Sequence, residues 1–308
     1  MFEPRSPNFT LTINASEILA KCMFNAGIRA RVGKLSMDIS TRPTYIESSS
    51  GASIEAAQAF VDHCAQYGRQ PSLQAKEKAL IEPVLTPRFV PTCSDSLLQG
   101  LAGLSSEQNL HIQSHLAEGR EQAEWVKSTR NKDDIQVFRD MGLLTPRTLQ
   151  AHCTFLTPPD LDLLSETGTS VAHCPLSNIY FSSKPFPLRE AIRAGVKVGL
   201  GTDVAGGYSL DIMNAMRNAV SVSRLRESER AEEARSRGSD DKGANPSASL
   251  AITWIESLYL ATRGGALALG GQWNDLGQFA VGVPFDAQQS TSANYDHITF
   301  MHAHDATL

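Results

Sequence analysis

The sequence predicts a β/α barrel, and three of its features support this fold class. Short runs of apolar or β-branched residues alternate along the chain with longer segments whose apolar residues recur about every 3.6 positions. This repeated alternation indicates a parallel sheet with crossover helices. The runs lack the turn patterns of antiparallel hairpins, which favours a barrel over a doubly wound sheet.

The predicted elements follow one another in a regular order. The predicted strands are residues 10–14, 29–35, 81–86, 110–114, 149–152, 170–173 and 196–202. The helical pattern is clearest in residues 15–25, 53–67, 94–104 and 133–141. Because a closed barrel of this type normally has about eight strands, we expect the barrel to be incomplete and its first strand to be absent.

Composition and charge exclude several classes of function. The net charge of -5 and the pI near 5.9 do not indicate a nucleic-acid partner. No apolar run approaches the roughly 20 residues of a membrane span, and no signal-peptide pattern begins the chain. The five cysteines are odd in number and scattered, which favours reduced thiols and a cytoplasmic location.

A charged segment interrupts the predicted barrel. Residues 224–249 are dense in charge and then rich in Gly, Ser and Asn, a composition typical of a helix end followed by a flexible insertion. We therefore predict a partial barrel domain over residues 1–270 with an insertion at 224–249, and a separate C-terminal region at 271–308.

Four residues at predicted strand ends have the chemistry of a hydrolytic metal site. His115 and Glu118 follow one strand, His152 ends the next, and Asp203 follows the last, just before a glycine-bearing turn. Reactive groups of β/α barrels lie at the C-terminal ends of the strands. Imidazole and carboxylate suit zinc or iron(II), and a glutamate that does not bind the metal can move protons. His173 also ends a strand, and spacing alone does not separate it from the others.

Six local strings carry a resemblance to a known family. They are VGKLSMD at 32–38, TPRFVPTCS at 86–94, HIQSHLAE at 111–118, AHC at 151–153, HCPLSN at 173–178 and GLGTDVAGGYS at 199–209. From about residue 10 to residue 286 the chain resembles the guanine deaminases of the amidohydrolase superfamily. The Pro-Arg-Phe string and the Asp-Val-Ala-Gly-Gly-Tyr-Ser string are what narrow the resemblance to guanine deaminases.

The resemblance implies a role for each site residue and a purine, guanine, as the small-molecule partner. His115 and Asp203 would bind one Zn²⁺ per subunit, and Asp203 would also take a proton from the water that the metal activates. Glu118 would act as general acid–base and His152 would hold the attacking oxygen. Among the substrate-binding residues, Arg88 would read the base through forked hydrogen bonds and Phe89 would contact the ring. The resemblance implies that His173 is structural and that the protein forms a homodimer.

The sequence departs from this family at both ends. The family's first strand ends in His-x-His, which supplies two further metal ligands, and residues 1–9 contain no histidine. We therefore expect a chain that begins near the family's second strand and binds zinc incompletely. Because the sequence diverges after Ala287, we expect residues 271–308 to be a remnant of the family's small β-sandwich with a divergent tail. A circular permutation that uses His302 and His304 as the missing ligands is a less favoured explanation.

Two alternatives to a guanine deaminase stay open from sequence. The chain could be a catalytically inactive fragment of an amidohydrolase, or a partner subunit. It could also act on another ring substrate, although Arg88 and Phe89 argue against this.

Overall fold

A curled parallel sheet with helices packed along it forms the centre of the protein. The computed structural model describes residues 13–42, 45–68, 79–237, 249–284, 286–290 and 298–302. The strands of the sheet are β1 (Ala30–Val32), β2 (Leu35–Ser36), β3 (Ile81–Pro87), β4 (His111–Leu116), β5 (Thr148–His152), β6 (Ser170–His173) and β7 (Val198–Leu200). Their order is β1-β3-β4-β5-β6-β7, β2 also pairs with β3, and every pairing is parallel.

Helices connect these strands and cover the sheet. They are α1 (Ile13–Asn25), α2 (Ser50–Cys64), α3 (Asp95–Gln108), α4 (Arg120–Arg130), α5 (Asp134–Asp140), α6 (Pro158–Thr167), α7 (Pro175–Phe181), α8 (Leu188–Arg193), α9 (Ile212–Ser236), α10 (Trp254–Ala261) and α11 (Arg263–Leu269). The main core lies between the sheet and the helices. On β4, for example, Ile112, Ser114 and Leu116 are buried and the alternate residues are partly exposed.

The predicted fold class is confirmed as an incomplete β/α barrel. Each strand predicted from residue 29 onward is present in the sheet. The four predicted helical segments coincide, to within one residue at the ends that extend beyond a helix, with α1, α2 and the short 3₁₀ turn after it, α3 and α5. Among the described residues the sheet remains open, with the β1–β2 segments at one edge and β7 at the other.

The prediction of a strand at residues 10–14 was wrong for the part that is described. Ile13 and Asn14 begin α1, and residues 10–12 lie outside the described residues. Ala20 is fully buried in α1, and Met23 and Phe24 pack against the same cluster as Phe60 of α2. These apolar contacts recur at the spacing of a helix. Their burial outweighs the preference of the segment's β-branched residues for a strand.

Two predicted segments near the C-terminus are partly described. Within the insertion predicted at 224–249, residues 224–236 continue the long helix α9, and residues 238–248 lie outside the described residues. Strands β8 (Asp286–Ser290) and β9 (Ile298–His302) pair antiparallel in a separate two-stranded sheet. The permutation hypothesis requires residues 298–302 in the barrel, and β9 does not pair with the described strands of that sheet. His304 lies outside the described residues.

Two further expectations from the sequence concern the state of the cysteines and the presence of a membrane span. All five cysteines are free thiols, four of them buried and Cys22 exposed. In the described part of the chain, no helix is both long enough and apolar enough to cross a membrane.

Candidate active site

The carboxyl ends of neighbouring strands bring three of the predicted residues together. His152 Nε2 lies 3.6 Å from Glu118 Oε1 and 3.9 Å from Asp203 Oδ2. One donor atom from each residue lies within 4.8 Å of the other two. His152 is buried, whereas both carboxylates are partly exposed. We call Glu118, His152 and Asp203 the strand-end cluster.

Asn178 sets the orientation of the His152 ring. His152 Nδ1 lies 2.9 Å from Asn178 Oδ1, while Asn178 Nδ2 lies 3.5 Å from Nδ1 of His173. Burial lowers the pKa of His173 to about 3, with smaller contributions from His152 and Arg226. His173 is therefore neutral and can accept from Asn178, so the amide oxygen is free to accept the Nδ1 proton of His152. His152 Nε2 is thereby left facing the two carboxylates.

His115 lies beside the strand-end cluster. Its Nδ1 donates to the backbone oxygen of Arg88 at 2.7 Å, so its Nε2 carries the lone pair when the ring is neutral. Its ring stacks on that of His152 with centroids 5.4 Å apart. Burial lowers the pKa of His115, and the bond to Arg88 only partly opposes this. A neutral imidazole with a free Nε2 is the form that can bind a metal.

The backbone around this site is strained. Ala117, His152, Cys153 and Asp203 have φ values of 45°, 70°, 56° and 51°. Residues other than glycine, asparagine and aspartate rarely adopt this left-handed region, so the strain lies at Ala117, His152 and Cys153. Such strain concentrates at functional sites. The Cys153 amide donates to the Leu116 oxygen at 2.9 Å, which ties two of the strained turns together.

Two glycines let the loop after β7 fold back onto Asp203. A Cβ at Gly206 would lie 2.5 Å from Asp203 Oδ2, and one at Gly207 would collide with the backbone oxygen of Thr202. The Gly207 amide donates to the Asp203 oxygen at 2.5 Å. Because a Cβ atom at either position would collide with its surroundings, this turn requires glycine at both positions.

Gly207→Ala is expected to destabilise the fold, because its methyl group meets backbone that cannot change rotamer. We expect a loss of about 1–3 kcal/mol in the free energy of unfolding, measured by urea titration. Gly103→Ala in α3 is the matched control. Its Cβ would have no neighbour within 4 Å, and alanine should stabilise the helix interior by about 0.5–1 kcal/mol. If the two variants had equal free energies of unfolding, the predicted steric clash at position 207 would be contradicted.

A groove opens next to the strand-end cluster, with a volume of about 860 Å³. We call it the Arg88 groove, and its lining includes Arg88, Phe89, Glu118, Gln122 and Trp125. The Arg88 guanidinium lies over the Phe89 ring, 5.0 Å from its centroid. The groove therefore places a cation and aromatic surface beside the Glu118 carboxylate.

The loop that forms another wall of the Arg88 groove is held by a buried ion pair. Lys34 Nζ pairs with Glu47 Oε1, and Glu47 Oε2 accepts from the Met37 amide at 3.2 Å. Burial lowers the pKa of Lys34, and the pairing with Glu47 opposes this. Ile39 and Tyr45, which line the groove, lie between these anchors in sequence.

The structure brings some of the residues predicted from sequence together, and other residues join them. Glu118, His152 and Asp203 converge, His115 lies beside them outside the tightest group, and Arg88 and Phe89 line the adjoining groove. Asn178 was missed, although it ends the HCPLSN string. Trp125 and Gln122 were also missed, because a helix that lines a groove cannot be recognised from periodicity alone.

The donor set fits a divalent cation. Two carboxylates and one imidazole nitrogen converge, the nitrogen faces the carboxylates, and a second imidazole lies alongside. Imidazole and carboxylate are the ligands that catalytic zinc sites use. A cation in this space would also offset the repulsion between Glu118 and Asp203.

The family follows from comparison with known proteins. Residues 7–290 match the model of the amidohydrolase family, and the chain belongs to this family. It is similar to guanine deaminase of Dictyostelium discoideum, with 34% identity over 281 residues that cover 91% of this chain and 56% of that protein. Guanine deaminase of Mus musculus is 36% identical over 281 residues, covering 90% of this chain and 56% of the relative. The chain thus spans about half the length of these relatives.

A solved structure of a guanine deaminase is also similar to this chain. Guanine deaminase from C. acetobutylicum, with guanine bound in its active site, superposes with a TM-score of 0.74 and 26% identity. The match covers 91% of this chain and 60% of that one. The resemblance to the guanine deaminases within the amidohydrolases is confirmed.

Proposed function

We propose that the chain is a guanine deaminase-like aminohydrolase, which converts guanine and water to xanthine and ammonia. One observation carries this proposal. Glu118, His152 and Asp203 converge beside a groove that is lined by Arg88 and Phe89. The similarity to guanine deaminases supports the choice of substrate. We also propose a cytoplasmic location, which the five free thiols support.

The cation that fits the site is proposed to be zinc, with His115 and Asp203 as its ligands from this chain. Glu118 and His152, which also face this space, are assigned to the substrate and to the attacking oxygen. When bound, zinc acts as a Lewis acid and makes water acidic enough to be a nucleophile near neutral pH. The neutral state of His115, which its buried position favours, suits this role.

The proton transfers are assigned to the two carboxylates. Asp203 takes the proton from the attacking water. Glu118 protonates the purine ring nitrogen beside the carbon under attack, takes the remaining proton of the added hydroxyl group and passes it to the departing ammonia. The proton that Asp203 took from the water then returns to Glu118, which restores both carboxylates. Both carboxylates are partly exposed and face the same space, so each can reach substrate and water.

His152, Arg88 and Phe89 orient the reactants. In its protonated form, His152 donates from Nε2 to the developing oxygen charge while Nδ1 stays bound to Asn178. The Arg88 guanidinium offers a planar pair of donors to a purine carbonyl and ring nitrogen, and Phe89 contacts the ring face.

The proposal is tested with the purified 308-residue chain. The chain is loaded with Zn²⁺ and its metal content is measured. Ammonia is then quantified with guanine or adenine as substrate, together with the xanthine formed from guanine or the hypoxanthine formed from adenine. We expect bound zinc and turnover of guanine, with adenine turned over at least about tenfold more slowly, since adenine lacks the carbonyl that Arg88 would bind. Turnover of another ring substrate would support the related-amidohydrolase alternative. Zinc-loaded chain without turnover would support the inactive alternative.

A further inference from the structure

The backbone of Arg88 is held between two neighbouring segments of the chain. Its amide donates to the Ser36 oxygen at 3.2 Å. Its oxygen accepts from the His115 amide at 3.1 Å and from His115 Nδ1 at 2.7 Å. Arg88 is therefore tied on one side to the histidine beside the strand-end cluster, and on the other side to Ser36 at the end of β2.

The side chain of Arg88 contacts the residue that follows Ser36. Arg88 Nη1 donates to the sulfur atom of Met37 over a distance of 3.9 Å. Met37 is 1% exposed, so its side chain is confined by its neighbours. Because Ser36 holds the backbone of Arg88 and Met37 contacts its guanidinium, a shift of these two residues would move the guanidinium in the Arg88 groove.

Glu47 fixes the position of Met37. Its Oε2 accepts from the Met37 amide at 3.2 Å, and its own amide donates to the Met37 oxygen at 3.1 Å. The same Oε2 atom accepts from Ser53 Oγ, and Oε1 pairs with Lys34 Nζ. Ser53 lies in α2 and Lys34 lies between β1 and β2. The Glu47 carboxylate therefore joins Met37 to a helix and to the edge of the sheet.

The charges of Lys34 and Glu47 are buried, with 2% and 7% of the two residues exposed. Burying an ion pair costs free energy, and apolar side chains of similar volume can often replace such a pair without loss of stability. Stability alone therefore gives little reason for these charges. What an apolar side chain could not supply is the acceptor for the Met37 amide.

We propose that Glu47 is a positioning residue for Arg88, which it holds in place through Met37 and Ser36. This rests on the proposed function, because recognition of the purine is assigned there to Arg88. Glu47 is buried behind the residues that line the Arg88 groove, so it acts on the substrate through Arg88 and not by contact.

Two double variants that differ only at position 47 test this proposal. Lys34→Met/Glu47→Leu, the first variant, removes both charges and the acceptor. Lys34→Met/Glu47→Gln, the second variant, removes both charges but keeps a carbonyl oxygen for the Met37 amide. We expect KM for guanine to rise about tenfold in the first variant with kcat within about threefold, because Arg88 binds the base before and during the reaction. In the second variant KM should stay within about twofold of wild type.

Thermal melting and a control variant separate positioning from a merely structural role. Both double variants should melt at or above the wild-type temperature, since neither leaves a buried charge without a partner. The control is Arg235→Met/Glu232→Gln, which removes an exposed ion pair of α9 and should change neither KM nor kcat. Equal KM values in the two variants at positions 34 and 47 would overturn the proposal.

Amide hydrogen exchange of the substrate-free protein tests the positioning without turnover. The Arg88 amide should exchange faster in the first variant than in the second. The Val171 amide on β6, which donates to the Lys197 oxygen at 2.9 Å, should exchange equally in both. Should the wild-type chain lack turnover, the proposed function fails while this measurement still decides the positioning. Equal exchange at Arg88 in the two variants would overturn the positioning role. If the first variant does not fold, Ser53→Ala, which removes one donor to Glu47 Oε2, is judged by faster exchange at Arg88 than in wild type.

Discussion

Asp203→Asn is expected to weaken zinc binding and to lower guanine turnover by roughly a thousandfold, equivalent to about 4 kcal/mol of lost stabilisation. Asp203 has a φ of 51°, a conformation that asparagine tolerates well, so the loop after β7 should keep its shape. The variant therefore removes the negative charge and the proton acceptor without removing the turn. Zinc affinity is measured by equilibrium dialysis, and turnover by ammonia release.

The control for this variant carries the same substitution outside the site. Asp211 caps α9, and its side chain accepts from the Met213 amide at 2.8 Å. Because asparagine caps helices about as well as aspartate, Asp211→Asn should retain both zinc and activity. An Asp203→Asn protein with wild-type zinc content and turnover would show that the strand-end cluster is not the reactive site.

Glu118→Gln is expected to lower kcat by about 10²- to 10⁴-fold while zinc remains bound. Glutamine keeps the size of the side chain and leaves the backbone bonds of Glu118 to Thr154 and Ser182 intact. What it removes is the ability to carry a proton between the ring nitrogen and the departing ammonia. The measurement is single-turnover conversion of guanine, combined with metal analysis of the same sample.

The metal analysis distinguishes two roles that the geometry allows. Glu118 Oε1 lies 3.6 Å from His152 Nε2, within the group that could hold a cation. If Glu118→Gln loses zinc together with activity, Glu118 is a ligand and the assignment of a pure proton carrier is wrong. Glu124→Gln, at an exposed position of α4, should change neither property. A Glu118→Gln enzyme with kcat within about tenfold of wild type would exclude the general acid–base role.

Much of the barrel could be predicted because its strands and helices have distinct local periodicities. Strand β4 alternates buried and partly exposed residues, and α3 repeats buried leucines at helical spacing, so both patterns are visible in the sequence. At Ile13 and Asn14, the described part of the segment at residues 10–14, the prediction of a strand was wrong. Its residues favour a strand locally, whereas the burial of Ala20 in a cluster that includes Phe60, a contact distant in sequence, belongs to a helix.

The sequence alone determined which reactive groups stand at the strand ends. His115, Glu118 and Asp203 follow predicted strands, and His152 ends one. Parallel strands in a barrel end at one edge, so the proximity of these residues follows from order and spacing. The strings around them also determined the family, since the residues that bind and activate a substrate are adjacent to those ends in sequence.

Only the tertiary structure decided how these groups are aimed. The Nε2 atom of His152 faces the carboxylates because Asn178, 26 positions away, accepts from Nδ1. The turn at Glu118 is held by Thr154, which is 36 positions away, and by Ser182, which is 64 positions away. Such contacts join loops that meet only after the sheet has formed, so the local periodicity of the sequence does not predict them.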